Sequence, residues 1–158
     1  GFFEKGVVSQ PICSVDHIQP FLEKRPEKLW GYYCTAQYLD VSNRFIAQPG
    51  YRTRILGTQL YKYQLDGFLH WGYNFYNAEH SIFTIDPYRC TDAAGAFPSG
   101  DPFLVYPGAD GVPEESMRIM LMDEAMSDLC AMNYLESLAG REVVMACLEH
   151  LDDAGEEG

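Results

Sequence analysis

A chain of 158 residues, 47% hydrophobic and 22% charged, has the composition of one globular domain able to bury a core, which excludes a disordered segment. Its formal charge of −12, from 23 acidic and 11 basic residues, repels phosphate backbones and argues against nucleic acid as a partner. No apolar run approaches the roughly 18 residues that cross a bilayer, and no signal-peptide pattern is present.

The chain opens on Gly1 rather than Met, and Phe2-Phe3-Glu4-Lys5 carries no leader chemistry, so the sequence reads as starting inside a longer protein. Residues 6–13, Gly6 to Cys13, form a short and mostly apolar first strand in this reading. Ser14 then caps a helix that places Ile18, Phe21 and Leu22 on one face, and Pro26 stops it. Leu29-Trp30-Gly31-Tyr32-Tyr33-Cys34-Thr35 is the second strand, followed by a polar connection from Asp40 to Gly50. From Tyr51 the spacing of Ile55, Leu56, Leu60 and Tyr63 predicts an amphipathic helix. Gly67 opens a third strand running from Phe68 to Phe75.

Apolar strands alternating with helices argue for parallel pairing and right-handed crossovers. Residues 76–101 are long and irregular, broken by Pro87, Gly95, Pro98 and Gly100; a connection of that length is expected to be functional or disordered. Phe103 to Tyr106 is a short extended piece ended by Pro107-Gly108 and Asp110-Gly111. Pro113 and Glu114-Glu115 favour a helix N-terminus, and Met117, Leu121, Ala125, Leu129, Met132 and Leu135 repeat at helical spacing up to Gly140. Its methionines read as core filler. Val143, Val144, Cys147 and Leu148 make a final short helix, so residues 1–150 are taken as one domain and 151–158 as an acidic, flexible tail.

Cys13, Cys34, Cys90, Cys130 and Cys147 are dispersed and odd in number, which fits reduced thiols and a cytoplasmic protein better than a disulfide framework. The four histidines, His17, His70, His80 and His150, lack metal-ligand spacing, and no phosphate-binding loop or nucleophile elbow is present, so neither metal nor cofactor is expected.

In a barrel of alternating strands and helices, ligands meet the C-terminal ends of the strands. Candidates there are Tyr32, Tyr33 and Cys34 from the second strand and Trp71, Tyr73 and Asn74 from the third. Trp71 offers a flat apolar plate for a sugar ring, and Asn74 with the tyrosine hydroxyls offers placed polar groups. The competing reading is that these aromatics fill the interior. Glycosidases need two carboxylates, or one acid plus assistance from the substrate. The acidic pairs Glu114-Glu115, Asp123-Glu124, Asp152-Asp153 and Glu156-Glu157 all read as solvated faces on the long helix or in the tail. Asp66 precedes the third strand at the wrong end, and nothing marks out Asp86 or Asp92.

Val41-Ser42-Asn43-Arg44-Phe45, Tyr51-Arg52 with Arg54-Ile55, and Leu60 to Tyr63 leading into Gly67 to Tyr76 form a distinctive series. Ser99-Gly100-Asp101-Pro102-Phe103-Leu104-Val105-Tyr106-Pro107-Gly108 continues it, and Ser116-Met117-Arg118 with Asp128 closes it. Together these resemble the C-terminal portion of the catalytic domain of the glycoside hydrolase family 123 type, also catalogued as domain of unknown function 4091. The resemblance runs over roughly residues 28–138. It implies an α/β fold, the last three strands of a (β/α)8 barrel of the TIM type closing with a long α-helix.

It also implies a retaining, substrate-assisted N-acetylhexosaminidase, of N-acetylgalactosaminidase type, acting on a glycan. The acid pair would lie on an earlier strand, so no residue here inherits a catalytic role. The carry-over is limited to Tyr32, Trp71, Tyr73 and Asn74 as a substrate wall. Asn43, Arg52, Arg54 and Arg118 would be structural, bridging loops to helix ends. The expected partners are carbohydrate and the preceding part of the same barrel, with no nucleic acid and no membrane insertion. The alternative is a non-catalytic carbohydrate-binding or structural piece.

Overall fold

The structure, a computed structural model, describes residues 1–154. Three short strands, β1 (Ile12–Ser14), β2 (Trp30–Tyr32) and β3 (Gly67–Leu69), form a parallel sheet in sequential order. Ile12 pairs with Trp30 and Trp30 with Gly67, so the three C-terminal ends lie side by side. Between them come α1 (Gln19–Lys24), then α2 (Tyr51–Arg54) and α3 (Leu56–Lys62). This is the expected alternation of parallel strands and helices.

The period of two gives the sheet two different faces. Cys13, Gly31 and Phe68 share one face, where a Cβ on Gly31 would meet Leu65 at 3.0 Å and Val15 at 3.6 Å. That face belongs to the core: Tyr33, Leu56, Leu60 and Ala125 are buried together, with Val15, Leu65, Phe68, Met122 and Leu129 packed around them. The opposite face carries Ile12, Trp30 and Leu69, all exposed.

The long helix is α4 (Met117–Ala139), 23 residues. Its N-cap is Ser116, whose side chain accepts from the Ile119 amide, and it ends at Gly140, whose φ of 88° releases the backbone from the helix. It packs on α2 and α3, and the Arg54 guanidinium grips Asp128 with two bonds of 2.7 and 2.9 Å. A last helix, α5 (Arg141–Ala154), folds back against α4. Arg141 donates to the carbonyls of Tyr61 and Lys62 and lies over the Tyr61 ring, closing the C-terminal end of α3.

Several local expectations change. β1 begins only at Ile12, and Ser14 does not cap a helix; its hydroxyl donates to Asp16 ahead of a short 3-10 turn, Val15–His17. α1 does stop at Lys24, with Arg25 in the left-handed region at φ 42° and its side chain tied to the Tyr63 carbonyl and Gln64. Pro113-Glu114-Glu115 does not open α4. It forms β5 (Pro113–Glu115), antiparallel to β4 (Val105–Pro107), because the turn from Gly108 to Val112 returns the chain as a hairpin.

The methionines of α4 are only partly core. Met122 packs inward, whereas Met117, Met120 and Met126 are exposed. The closing helix α5 is longer than expected and runs into the segment read as a tail; residues 155–158 of that tail lie outside the described residues. The cysteines are free thiols. Among the described residues no helix is long and apolar enough to cross a membrane.

Candidate active-site edge

The C-terminal ends of β1, β2 and β3 are followed by residues 15–17, 33–50 and 70–104, and the polar side chains of these segments converge. The third strand does not run on to Phe75. After Leu69 the chain turns away, and Tyr73 to Phe75 pairs antiparallel with residues 102–104: Leu104 N donates to the Tyr73 carbonyl at 2.8 Å and Phe75 N to the Pro102 carbonyl at 3.1 Å. This pairing carries Asp101 back under the ends of β2 and β3.

Asp101 is fully buried. Its Oδ2 accepts from the Thr35 hydroxyl and from the Trp71 indole N–H, each at 2.9 Å. Nε2 of His70 stands 3.2 Å from Oδ1, off the line of a hydrogen bond. Nδ1 of His70 faces two donors, Arg44 at 2.7 Å and the Gly72 amide at 3.0 Å, so it is the acceptor and the proton sits on Nε2, toward Asp101.

Arg44 is 2% exposed and donates also to the backbone carbonyls of Gly72 and Asp101. Arg118, at the start of α4, donates to the carbonyls of Arg44 and Gly100. One buried carboxylate thus lies among two buried guanidinium groups whose own bonds go to backbone carbonyls and His70, an arrangement that holds only if the partners stay in place.

Burial dominates the titration of this group. It pulls Arg44 down to about 10 and lowers Arg118. It pushes the Tyr33 hydroxyl up to about 12. It also lowers His70, against the opposing pull of Asp101, which keeps the imidazole neutral at ordinary pH. Asp16, directly after β1, behaves differently. Burial works against its charged form, but hydrogen bonds from Ser14, His17 and Gln37 prevail and bring its carboxyl down to about 2.

The expected wall residues fall out as follows. Trp71 is 41% exposed, with T-shaped ring contacts to Phe75 at 5.3 Å and Phe97 at 5.2 Å and His70 stacked on it at 6.3 Å. Tyr73 and Asn74 are exposed on the next turn of chain, and Tyr73 lines an open depression with Arg44, His70, Leu104 and Met126. Tyr32 is half-buried beside Leu69 in the sheet register, on the open face. Tyr33 is core, its ring tilted against Phe68 with centroids 4.6 Å apart. Cys34 is held by Gln37 and has no histidine partner among its hydrogen bonds. Trp71, Tyr73 and Asn74 are thus all exposed beyond β3, with Tyr73 facing the depression beside α4 and Trp71 packed beside Phe75 and Phe97.

The four structural residues behave as loop braces. Asn43 donates to the carbonyls of Cys34 and Gln37, Arg52 to those of Leu39 and Val41, and Arg54 and Arg118 act as described. Asp66 binds Leu29 N and Lys28 at the opposite end of the sheet, and His80 is exposed, far from forming a pair with His70. Glu114 and Glu115 lie on β5. Sequence reasoning gave no role to Asp101, Arg44 or Asp16. The first two do stand inside the motifs that carried the resemblance, which was the one available signal.

A comparison with protein families matches the model described as glycoside hydrolase 123, catalytic domain, over residues 1–135. The chain belongs to that family. The match begins at residue 1, so β1 and α1 are part of the family domain as well as the segments from residue 28 onward. No curated protein matches the chain. Membership indicates a function related to glycoside hydrolysis, and the convergence of polar and aromatic groups at the C-terminal edge of a parallel sheet is where such a domain would meet its ligand.

Proposed function

We propose that this chain supplies the sugar-binding wall of a retaining, substrate-assisted N-acetylhexosaminidase of N-acetylgalactosaminidase type. In this reading β1 to β3 are the last three strands of a (β/α)8 barrel, and Trp71, Tyr73, Asn74 and Tyr32 contact the glycan. The 2-acetamido group of the substrate attacks the anomeric carbon, one acid protonates the leaving oxygen, and a neighbouring carboxylate steadies the oxazolinium ion. Those acids stand on an earlier strand of the barrel.

The observation that carries the reading is Trp71: a large aromatic plate, partly exposed beyond β3 in a glycoside hydrolase family domain, and held by ring contacts with His70, Phe75 and Phe97. The apolar face of Ile12, Trp30 and Leu69, with the unpaired edges of β1 and β3, supports further strands around it. Asp101 is buried and Asp16 stands alone after β1, which favours a second reading for the chain by itself, a non-catalytic carbohydrate-binding piece.

The test joins this chain to the polypeptide of a whole barrel and assays 4-nitrophenyl N-acetyl-β-galactosaminide and its glucosamine epimer. Release of nitrophenol that falls about 30-fold or more in Trp71→Ala is the expected result. A folded barrel silent on both substrates refutes the enzyme reading. Tryptophan fluorescence of the chain alone, titrated with N-acetylgalactosamine, then decides the binding reading.

A further inference from the structure

Trp71 is exposed, and an exposed indole has rotamer freedom that weakens any stacking surface it offers. His70 stacks on the ring at 20°, and Phe75 and Phe97 stand at 66° and 67° to it, which sets its plane. These ring contacts do not decide which edge of the indole faces inward. The indole N–H decides that, because it ends on the buried Oδ2 of Asp101 at 2.9 Å. A hydrogen bond to a charged acceptor is among the stronger kinds.

Asp101 is itself immobilised. Thr35 holds the same oxygen at 2.9 Å, Nε2 of His70 lies 3.2 Å from the other, and Arg44 binds the Asp101 carbonyl at 3.2 Å. His70 has one tautomer available here, because Arg44 and the Gly72 amide both donate to its Nδ1. With no exposed surface, Asp101 acts on a ligand only through its neighbours, of which Trp71 is the exposed one.

We infer that Asp101 is a positioning residue for the Trp71 plate, fixing the indole from beneath while Thr35, and Arg44 on the backbone carbonyl, fix Asp101. The inference rests on the reading of Trp71 as a sugar-binding surface. It makes the wall preorganised: the orientation of the plate is set in the folded chain, before any sugar arrives. Asparagine is the weaker anchor. With its oxygen toward the indole and Thr35 it offers a neutral acceptor in place of a charged one, and with its N–H2 there a donor opposes the indole N–H.

The test follows the indole N–H signals of the 15N-labelled chain, with Trp30→Phe assigning the signal of Trp71. In the unaltered chain the Trp71 indole proton is expected to exchange about ten- to a hundredfold more slowly than in free tryptophan. Asp101→Asn, which exchanges a charged acceptor for a neutral one, should reduce that protection and move the proton upfield. Thr35→Val, which removes the competing donor on Oδ2, should move it downfield.

General damage would send both variants toward the free-indole position, so shifts of the same sign overturn the inference, as does free-rate exchange in the unaltered chain. An upfield shift in Thr35→Val, or free-rate exchange in the unaltered chain, overturns it even where Asp101→Asn fails to fold. N-acetylgalactosamine affinity is read on the same samples. Loss of about tenfold in Asp101→Asn supports the inference. Equal binding by both forms overturns the positioning role alone, and an anchored indole with no sugar binding in the unaltered chain overturns the sugar reading beneath it.

Discussion

Gly57→Ala should destabilise the chain by about 2–3 kcal/mol, although alanine is the better helix former by about 1 kcal/mol. Gly57 lies in α3 where it crosses α4, and a Cβ there would stand 1.8 Å from the Ala125 carbonyl oxygen, 2.7 Å from its carbon and 3.2 Å from its Cα. A carbon and a carbonyl oxygen are comfortable at about 3.3 Å or beyond, so the helices must part by roughly 1.5 Å. The obstacle is helix backbone, which has no rotamer to escape into.

Parting the helices loosens Leu56, Leu60, Tyr33 and Ala125, the buried cluster on which the sheet rests, and dispersion contacts fall away steeply with such a gap. The assay is urea unfolding followed by far-UV circular dichroism. With a slope of about 2 kcal/mol per molar, the midpoint should drop by about 1 M at unchanged slope. A midpoint equal to or above that of the unaltered chain would refute the packing of α3 on α4 described above.

Gly72→Ala puts a Cβ 2.7 Å from the carbonyl oxygens of both Asp101 and Pro102, so that backbone must retreat and draw Asp101 off Trp71. A cost of about 1–3 kcal/mol with a red-shifted tryptophan emission is expected, and an unchanged spectrum contradicts it. Tyr33→Phe removes a buried hydroxyl that has no hydrogen-bond partner, so stability should rise by about 1 kcal/mol. A lowered melting temperature would show that the hydroxyl is satisfied.

Acid should weaken the fold through His70, whose folded pKa lies below the ordinary value of about 6.5 because burial, and then the neighbouring Arg44 charge, outweigh the help from Asp101. As pH falls below about 6.5 the unfolded chain takes up this proton first, so stability declines until the folded pKa is passed, at no more than about 1.4 kcal/mol per pH unit. The carboxylate of Asp16, at about 2, adds its own loss only in stronger acid. Unfolding free energies measured from pH 7.5 to 5 should show the slope, and His70→Gln should flatten it; a slope that survives intact assigns the effect elsewhere.

The alternation of strand and helix up to Leu69 could be read from residues because each signal is local. Apolar runs at Cys13, Trp30 and Phe68, the helical spacing from Tyr51 to Tyr63, the stops at Pro26 and Gly140, and the long periodic run of α4 all act within a few residues of themselves. Family membership was legible for a related reason, since the motifs from Val41 to Arg118 are continuous stretches whose order survives in the chain. Pro113 to Glu115 misled because the same proline and acids suit a helix start and an exposed edge strand, and only pairing with Val105 to Pro107 separates the two.

The site divides in the same way. That Trp71, Tyr73 and Asn74 lie near a strand end followed from their positions. That Trp71 is anchored by Asp101 did not, because 30 residues of irregular chain separate them, and 66 separate Asp101 from Thr35. Composition and periodicity by themselves determined a charged-surface, mixed α/β domain with parallel strands and a long helix near its end. The tertiary structure alone decided which polar residues are buried together. A buried carboxylate cannot be satisfied by its sequence neighbours, so Asp101 takes its partners from β-strand ends and loops that only folding brings within 3 Å or so of one another.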